Sequence, residues 1–163
     1  MRDEYNGSLE SLGPALKVLE EARAGRRWLV VSDFADSGKN YRHRRKHLAA
    51  AAVRAAEMCV FIGEKSAYGE RRAIEAGISA GKVFDFLLPE QAAEFLRTEL
   101  RAGDLVLLRG LSGDHLTRIV FAQLGSVECW KMKCRKRGIC DTCPELGFRP
   151  HEAPLRAASA GSR

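Results

Sequence analysis

A chain of 163 residues with 45% hydrophobic and 29% charged side chains has the make-up of one globular domain plus a short appendage, which excludes a disordered segment. It holds no apolar run long enough to span a bilayer and no basic-then-apolar leader, so a cytoplasmic protein with no membrane partner is expected. The net charge of +6 gathers in two clusters, Arg42, Arg44, Arg45 and Lys46, then Lys131, Lys133, Arg135, Lys136 and Arg137. Either cluster can meet phosphates, and either taken alone reads as a solvated surface.

Helical and strand-like patterns then alternate along the chain. Leu12, Ala15, Leu16 and Leu19 recur at helical spacing. Pro14 is tolerable there if the helix begins near Ser11, because a first-turn proline loses no intrahelical bond. Residues 28–32 (WLVVS) are a short apolar strand, and a basic, alanine-rich helix is predicted over 41–57. Residues 59–62 read as a strand ending at Gly63, 66–76 as a helix closed by Gly77, and 83–86 as another strand. Pro89 opens a helix with Ala92, Phe95, Leu96 and Leu100 on one apolar face. After the Gly103-Asp104 turn, 105–108 form a buried strand and 116–124 a closing helix. From Gly147 onward, Pro150, Pro154 and a small-residue ending predict a flexible tail.

Four apolar strands separated by helices imply an α/β fold, a Rossmann-like, mostly parallel sheet flanked by helices. The predicted organisation is an α/β domain over 1–126, a cysteine knuckle over 127–147 and a flexible tail over 148–163. Ligands of such sheets gather at the carboxyl ends of the strands. That places the candidate ligand edge in the loops after Ser32, Gly63, Phe86 and Arg109, with 33–43 and 109–115 sharing one side.

Several catalytic motifs are absent. Ser37-Gly38-Lys39-Asn40 is the nearest approach to a phosphate-binding loop, but Asp33 stands at the first glycine and Asn40 at the final hydroxyl. No G-x-G-x-x-G follows a strand, and no G-x-S-x-G elbow is present. No self-sufficient set of reacting groups is found, so no catalytic residue is assigned. An edge rich in Asp, Arg and Gly suits a domain that completes a site built elsewhere.

The order of the segments carries a resemblance. Asp3-Glu4-Tyr5-Asn6-Gly7-Ser8 ahead of a helix resembles the D-x-Y-N-A-N that opens the third domain of Mur ligases of the D-alanyl-D-alanine-adding branch. Residues 30–38 (VVSDFADSG) are similar to the branch's V-x-G-D-M-x-E-L-G, and 60–63 (VFIG) to its V-x-x-V-G strand end. Residues 103–110 (GDLVLLRG) resemble its G-D-x-V-L-V-K-G. The ordered set runs from about residue 2 to 124.

The resemblance implies the C-terminal domain of a three-domain, ATP-dependent amide ligase. A central domain would hold the phosphate loop, magnesium and ATP, and a first domain would bind the carboxylate substrate. Such enzymes make an acyl phosphate that an amine attacks, giving an amide, ADP and phosphate. The third domain closes and keeps water from that intermediate. The implied partners are therefore the chain's own N-terminal and central ligase domains, a nucleotide and an anionic small molecule; the chain alone is expected to be inactive.

Matched position by position, Asp3 stands where the family's hinge aspartate faces the nucleotide ribose. Tyr5 and Asn6 match its Tyr-Asn near the closed site. Asp33, with Gly38, matches the loop after the first strand. Arg109 replaces the family's usual lysine and is expected to grip an anionic group with its fork. Ser112, in the loop after Gly110, completes this nucleotide- and substrate-binding set. The chain departs from the family at Gly7-Ser8, at 111–115 and across the basic stretch 39–47, which points to an amine other than D-alanyl-D-alanine. His43 and His47, at i and i+4, lie among cations and are expected to be exposed helical residues, not metal ligands.

Of five cysteines, Cys59 lies in an apolar run and is expected in the core. The other four, Cys129-x4-Cys134-x5-Cys140-x2-Cys143, crowd together, which suggests a metal before disulfides in a chain without a secretion signal. Zinc is preferred for four thiolates in this tight spacing. An iron–sulfur cluster or a reducible disulfide remains as an alternative. Basic neighbours with Trp130 interleaved also allow a nucleic-acid-binding module, disfavoured because so small a knuckle is commonly structural. A non-catalytic, partner-binding Rossmann-like domain is the third possibility.

Overall fold

The computed structural model describes residues 1–4, 9–32, 41–131, 134 and 139–151, with the side chains of 9, 10 and 41–46 outside that description. The elements run β1 (Arg2–Asp3), α1 (Leu9–Glu21), β2 (Arg27–Ser32), α2 (Tyr41–Ala55), β3 (Met58–Ile62), α3 (Ser66–Glu75), β4 (Val83–Phe86), α4 (Pro89–Glu99), β5 (Leu105–Arg109), α5 (Thr117–Leu124), β6 (Gly125–Ser126) and β7 (Arg149–Pro150). β1 to β5 make one sheet in the order β1-β5-β2-β3-β4, and every neighbouring pair is parallel.

Alternation along the strands explains the two cores. Leu29, Val31, Cys59, Phe61 and Leu107 point to one face, where Leu12, Leu16 and Leu19 of α1 and Leu48 and Ala52 of α2 cover them. Trp28, Val30, Val60, Ile62 and Leu108 point to the other, under Ala92 and Leu96 of α4 and Ile119 of α5. A sheet buried on both sides has no polar stripe, so its strands read as continuous apolar runs. Cys59 is wholly buried, as expected, and burial pushes its thiol up to about 12.

At the amino ends of the strands, Asp104 of the Gly-Asp turn gathers several donors. Its Oδ2 accepts from Arg26 Nη2 at 2.6 Å, from Trp28 Nε1 at 3.1 Å and from the Arg101 N–H at 2.9 Å. This polar knot joins the starts of β2 and β5 and lies opposite the ligand edge. The Arg26 guanidinium, aided by these N–H donors, holds the Asp104 carboxyl below its ordinary range.

Some elements differ from the sequence reading. A fifth strand, β1, joins the sheet beside β5; its two residues are both charged and present no apolar pattern. α1 starts at Leu9 and not near Ser11, so Pro14 lies inside the helix and removes one interior bond. α2 stops at Ala55, and β5 continues through Arg109. The boundary expected at 147/148 falls within an ordered region: β7 pairs antiparallel with β6, and the His151 N–H reaches the Leu124 carbonyl at 2.9 Å. The remainder of the expected tail, 152–163, lies outside the described residues.

Candidate ligand edge and cysteine pocket

Parallel register brings three carboxyl strand ends together. Asp3 is opposite Arg109, and Val31 is opposite Arg109 on the other side, so Asp3, Arg109 and Ser32 sit on three consecutive strands. The predicted sharing of one side by the loops after β2 and β5 is seen in a contact between Ser32 and Asp114. The Ser32 hydroxyl donates to Asp114 Oδ2, which also accepts the Leu111 N–H at 2.7 Å.

Gly110 permits this closure. A Cβ on it would lie 2.8 Å from Leu116 Cδ1 and 3.0 Å from Asp114 Oδ2, and closer still to the Ser32 hydroxyl. Beyond it, Ser112–Asp114 form a single 3₁₀ turn with Ser112 exposed, and His115 leaves that turn in the left-handed region at φ 55°. Outside glycine this conformation is uncommon, though histidine is among the residues that adopt it more often.

Arg109 is placed differently from the sequence expectation. Its side chain is 0% exposed; the guanidinium pairs with the Asp3 carboxylate and donates through Nη2 to Ser11 Oγ of α1 at 2.7 Å. Burial pushes its pKa down from the ordinary value, but a guanidinium starts high enough to keep its charge. Arg109 therefore holds the hinge strand, and the fork expected to face a ligand is directed at Asp3 and Ser11. Asp3, with 31% of its side chain exposed, retains a surface toward the edge. Tyr5, Asn6 and Asp33 lie outside the described residues, as do Lys133, Arg135, Lys136 and Arg137; so do the side chains of Arg42, Arg44, Arg45 and Lys46. His47 is exposed on α2.

The cysteine segment folds back against α5. Cys129, Cys134, Cys140 and Cys143 line one small pocket of about 10 Å³ together with His115, Arg118 and Glu145, a space for about one water-sized guest. Among the described residues, no group of three or more His, Cys, Asp or Glu side chains is disposed to hold a metal ion as it stands. The support for a metal is thus the shared lining of a pocket, not a formed coordination shell. Among the described cysteines none is in a disulfide. Asp141, beside Cys140, receives both ends of the Arg2 fork at 2.5 and 3.0 Å, and these hold its carboxyl below the ordinary range. Burial, then the nearby Arg118 charge, push the His115 imidazole down.

Asp114, Arg118 and the Arg2–Asp141 pair were not foreseen from sequence. Asp114 alone had a local signal, an acidic residue three positions after Leu111 at the start of a turn.

An all-parallel α/β domain, with polar residues gathered where the strands end and no phosphate loop in its sequence, belongs to the class that meets its ligand beside another domain. Residues 1–111 match the family described as Mur ligase, glutamate ligase domain, and the chain belongs to that family. Its fold is similar to the MurF ligase from Thermotoga maritima in complex with ADP, at 20% identity and a TM-score of 0.56. It is also similar to MurF from Acinetobacter baumannii, at 21% identity and a TM-score of 0.60. Each match covers 74% of this chain and 26% of the other, so the chain spans about a quarter of the length of those ligases. No curated protein sequence matches it. The family match ends before the first of the four clustered cysteines. Among the described residues, no helix is long and apolar enough to cross a membrane.

Proposed function

We propose that this chain acts as the C-terminal domain of an ATP-dependent amide ligase, joining an acid to an amino acid or peptide. It closes over ATP and an acyl phosphate held by a central phosphate-loop domain. One observation carries the reading: a partly exposed carboxylate, Asp3, is fixed at the strands' carboxyl edge by the buried Arg109, inside the segment that matches the family. A carboxylate can accept bonds from both hydroxyls of a ribose. Holding it against a buried guanidinium orients it before the nucleotide arrives, which spares the ordering cost on closure.

ATP and magnesium reach the site through the central domain, in keeping with the ADP complex of the similar T. maritima ligase. Tyr5, Asn6, Asp33 and the exposed Ser112 border nucleotide and substrate. The domain's work is to orient and to exclude water, since an acyl phosphate open to solvent would hydrolyse. The four clustered cysteines take zinc outside the reaction, and the enzyme works in the cytoplasm, in the making of a cell-wall or related polymer.

The test supplies the chain with a Mur-type first and central domain, fused or in trans, and follows amide formation together with ADP release. ATP-dependent amide formation that requires the chain and weakens with Asp3→Ala supports the reading. Amide formation indifferent to the chain, or salt-sensitive oligonucleotide binding by the chain alone, overturns it; the latter would favour a nucleic-acid-binding module.

A further inference from the structure

Cys140 is where three parts of the molecule meet. Arg118 of α5, 3% exposed, donates through Nε to Cys140 Sγ at 3.4 Å and through Nη1 to the Lys131 carbonyl at 2.7 Å. His115, the residue that ends the turn at the ligand edge, has Nδ1 3.3 Å from the same sulfur. Asp141, next in the chain, is gripped by Arg2 of β1 and accepts from Thr117 Oγ1 at 3.3 Å. The ligase reading gives none of these contacts a task.

Their chemistry is that of a site for a soft divalent cation. Four thiols line a pocket with room for one small guest. As thiolates they would repel one another, and a buried guanidinium offsets only one of the four charges. A zinc ion offsets two more and favours a tetrahedron of thiolate ligands. Zinc needs no redox partner and tolerates the geometry that the chain imposes. On binding, each thiol gives its proton to solvent as its sulfur–metal bond forms.

The geometry points to a zinc-held clasp: Cys129, Cys134, Cys140 and Cys143 close on one zinc ion, which fixes the 110–115 turn through His115 and the hinge strand β1 through Asp141 and Arg2. The ion's role is to position these parts. It locks the turn carrying Ser112 and the strand carrying Asp3 to a common anchor, so that both sides of the ligand edge keep their spacing. The inference rests on the ligase reading only in treating that edge as the substrate edge.

The experiment uses the full chain purified under reducing conditions. Elemental analysis should find about one zinc per chain, as in closed four-ligand sites; Cys59→Ser should keep it and Cys143→Ser should lose it. Hydrogen exchange is then compared before and after a chelator, on the unmodified chain, so that no variant's folding enters. Removing zinc should speed exchange roughly tenfold or more across 110–118 and 2–4, while β2 and β3 stay protected. Absence of metal, or iron in place of zinc, overturns the site. Zinc with unchanged exchange at 110–118 overturns the clasp. Neither readout uses ATP or an amine, so failure here leaves the ligase reading standing, and failure of that reading leaves the clasp untouched.

Discussion

Asp3 and Arg109 are register partners on β1 and β5, and their side chains form an ion pair whose cationic half is completely buried. Both positions fall in segments that mark the family, and both were expected to meet ligands. Instead one of them holds the other. The hinge strand has only two residues, so this pair and its hydrogen bond to Ser11 are a large part of what anchors it to the sheet.

Breaking the pair should therefore show first in stability. Arg109→Ala removes the cation and leaves Asp3 able to reach some water, so a loss of about 2–3 kcal/mol is expected, below the full cost of stranding a buried charge. Urea unfolding measures it. A change under roughly 0.5 kcal/mol, the range of a surface substitution, would mean that the pair does not anchor β1.

Gly110→Ala places a methyl group against Leu116 and Asp114 in a spot with no room for it. The expected cost is about 1–3 kcal/mol, typical of overpacking, with the disturbance centred on the 111–115 turn. Amide shifts confined to the 3₁₀ turn at Ala80–Lys82 would contradict this placement.

Cys59 should resist alkylation at neutral pH, since it is buried and its thiol is pushed up to about 12. Under reducing conditions with a chelator, mass spectrometry should find Cys129, Cys134 and Cys143 labelled well before Cys59. Equal labelling in the native chain would contradict the burial of β3.

Acid should weaken the fold through Asp104 and Asp141, both held below the ordinary carboxylate range by arginines. A depressed carboxylate contributes its stability above its unfolded pKa, and loses it as pH falls through the lower, folded value. Stability owed to these groups should be level above about pH 5 and decline as pH falls through roughly 4 and below. Asp104→Asn should flatten that decline; an unchanged acid limb would remove the Arg26–Asp104 knot from the account.

The four long strands were legible because a sheet covered on both faces leaves uninterrupted apolar runs, as at 28–32 and 59–62. β1 was not legible, since Arg2 and Asp3 join the sheet by backbone pairing and salt bridges, which have no hydrophobic period. The ligand edge could be foreseen from the rule about carboxyl ends, and Ser32 meeting Asp114 agrees with it. The partners of Arg109 could not, because they follow from β1 lying beside β5, a placement no local pattern encodes. The cysteine spacing announced a cluster, but not its seat on α5. That seat depends on Arg118, an arginine that sequence alone assigns to the surface and the fold buries.

The central claim is that this domain completes a nucleotide site whose phosphate loop lies elsewhere. Its most direct test is the ATP affinity of a Mur-type central domain measured with and without this chain attached. The account predicts tighter binding with the chain present, lost on Asp3→Ala and retained on Arg101→Ala at the far end of the sheet, and no ATP turnover by the chain alone. Equal affinity with and without the chain, or turnover that tracks the isolated chain, would contradict it.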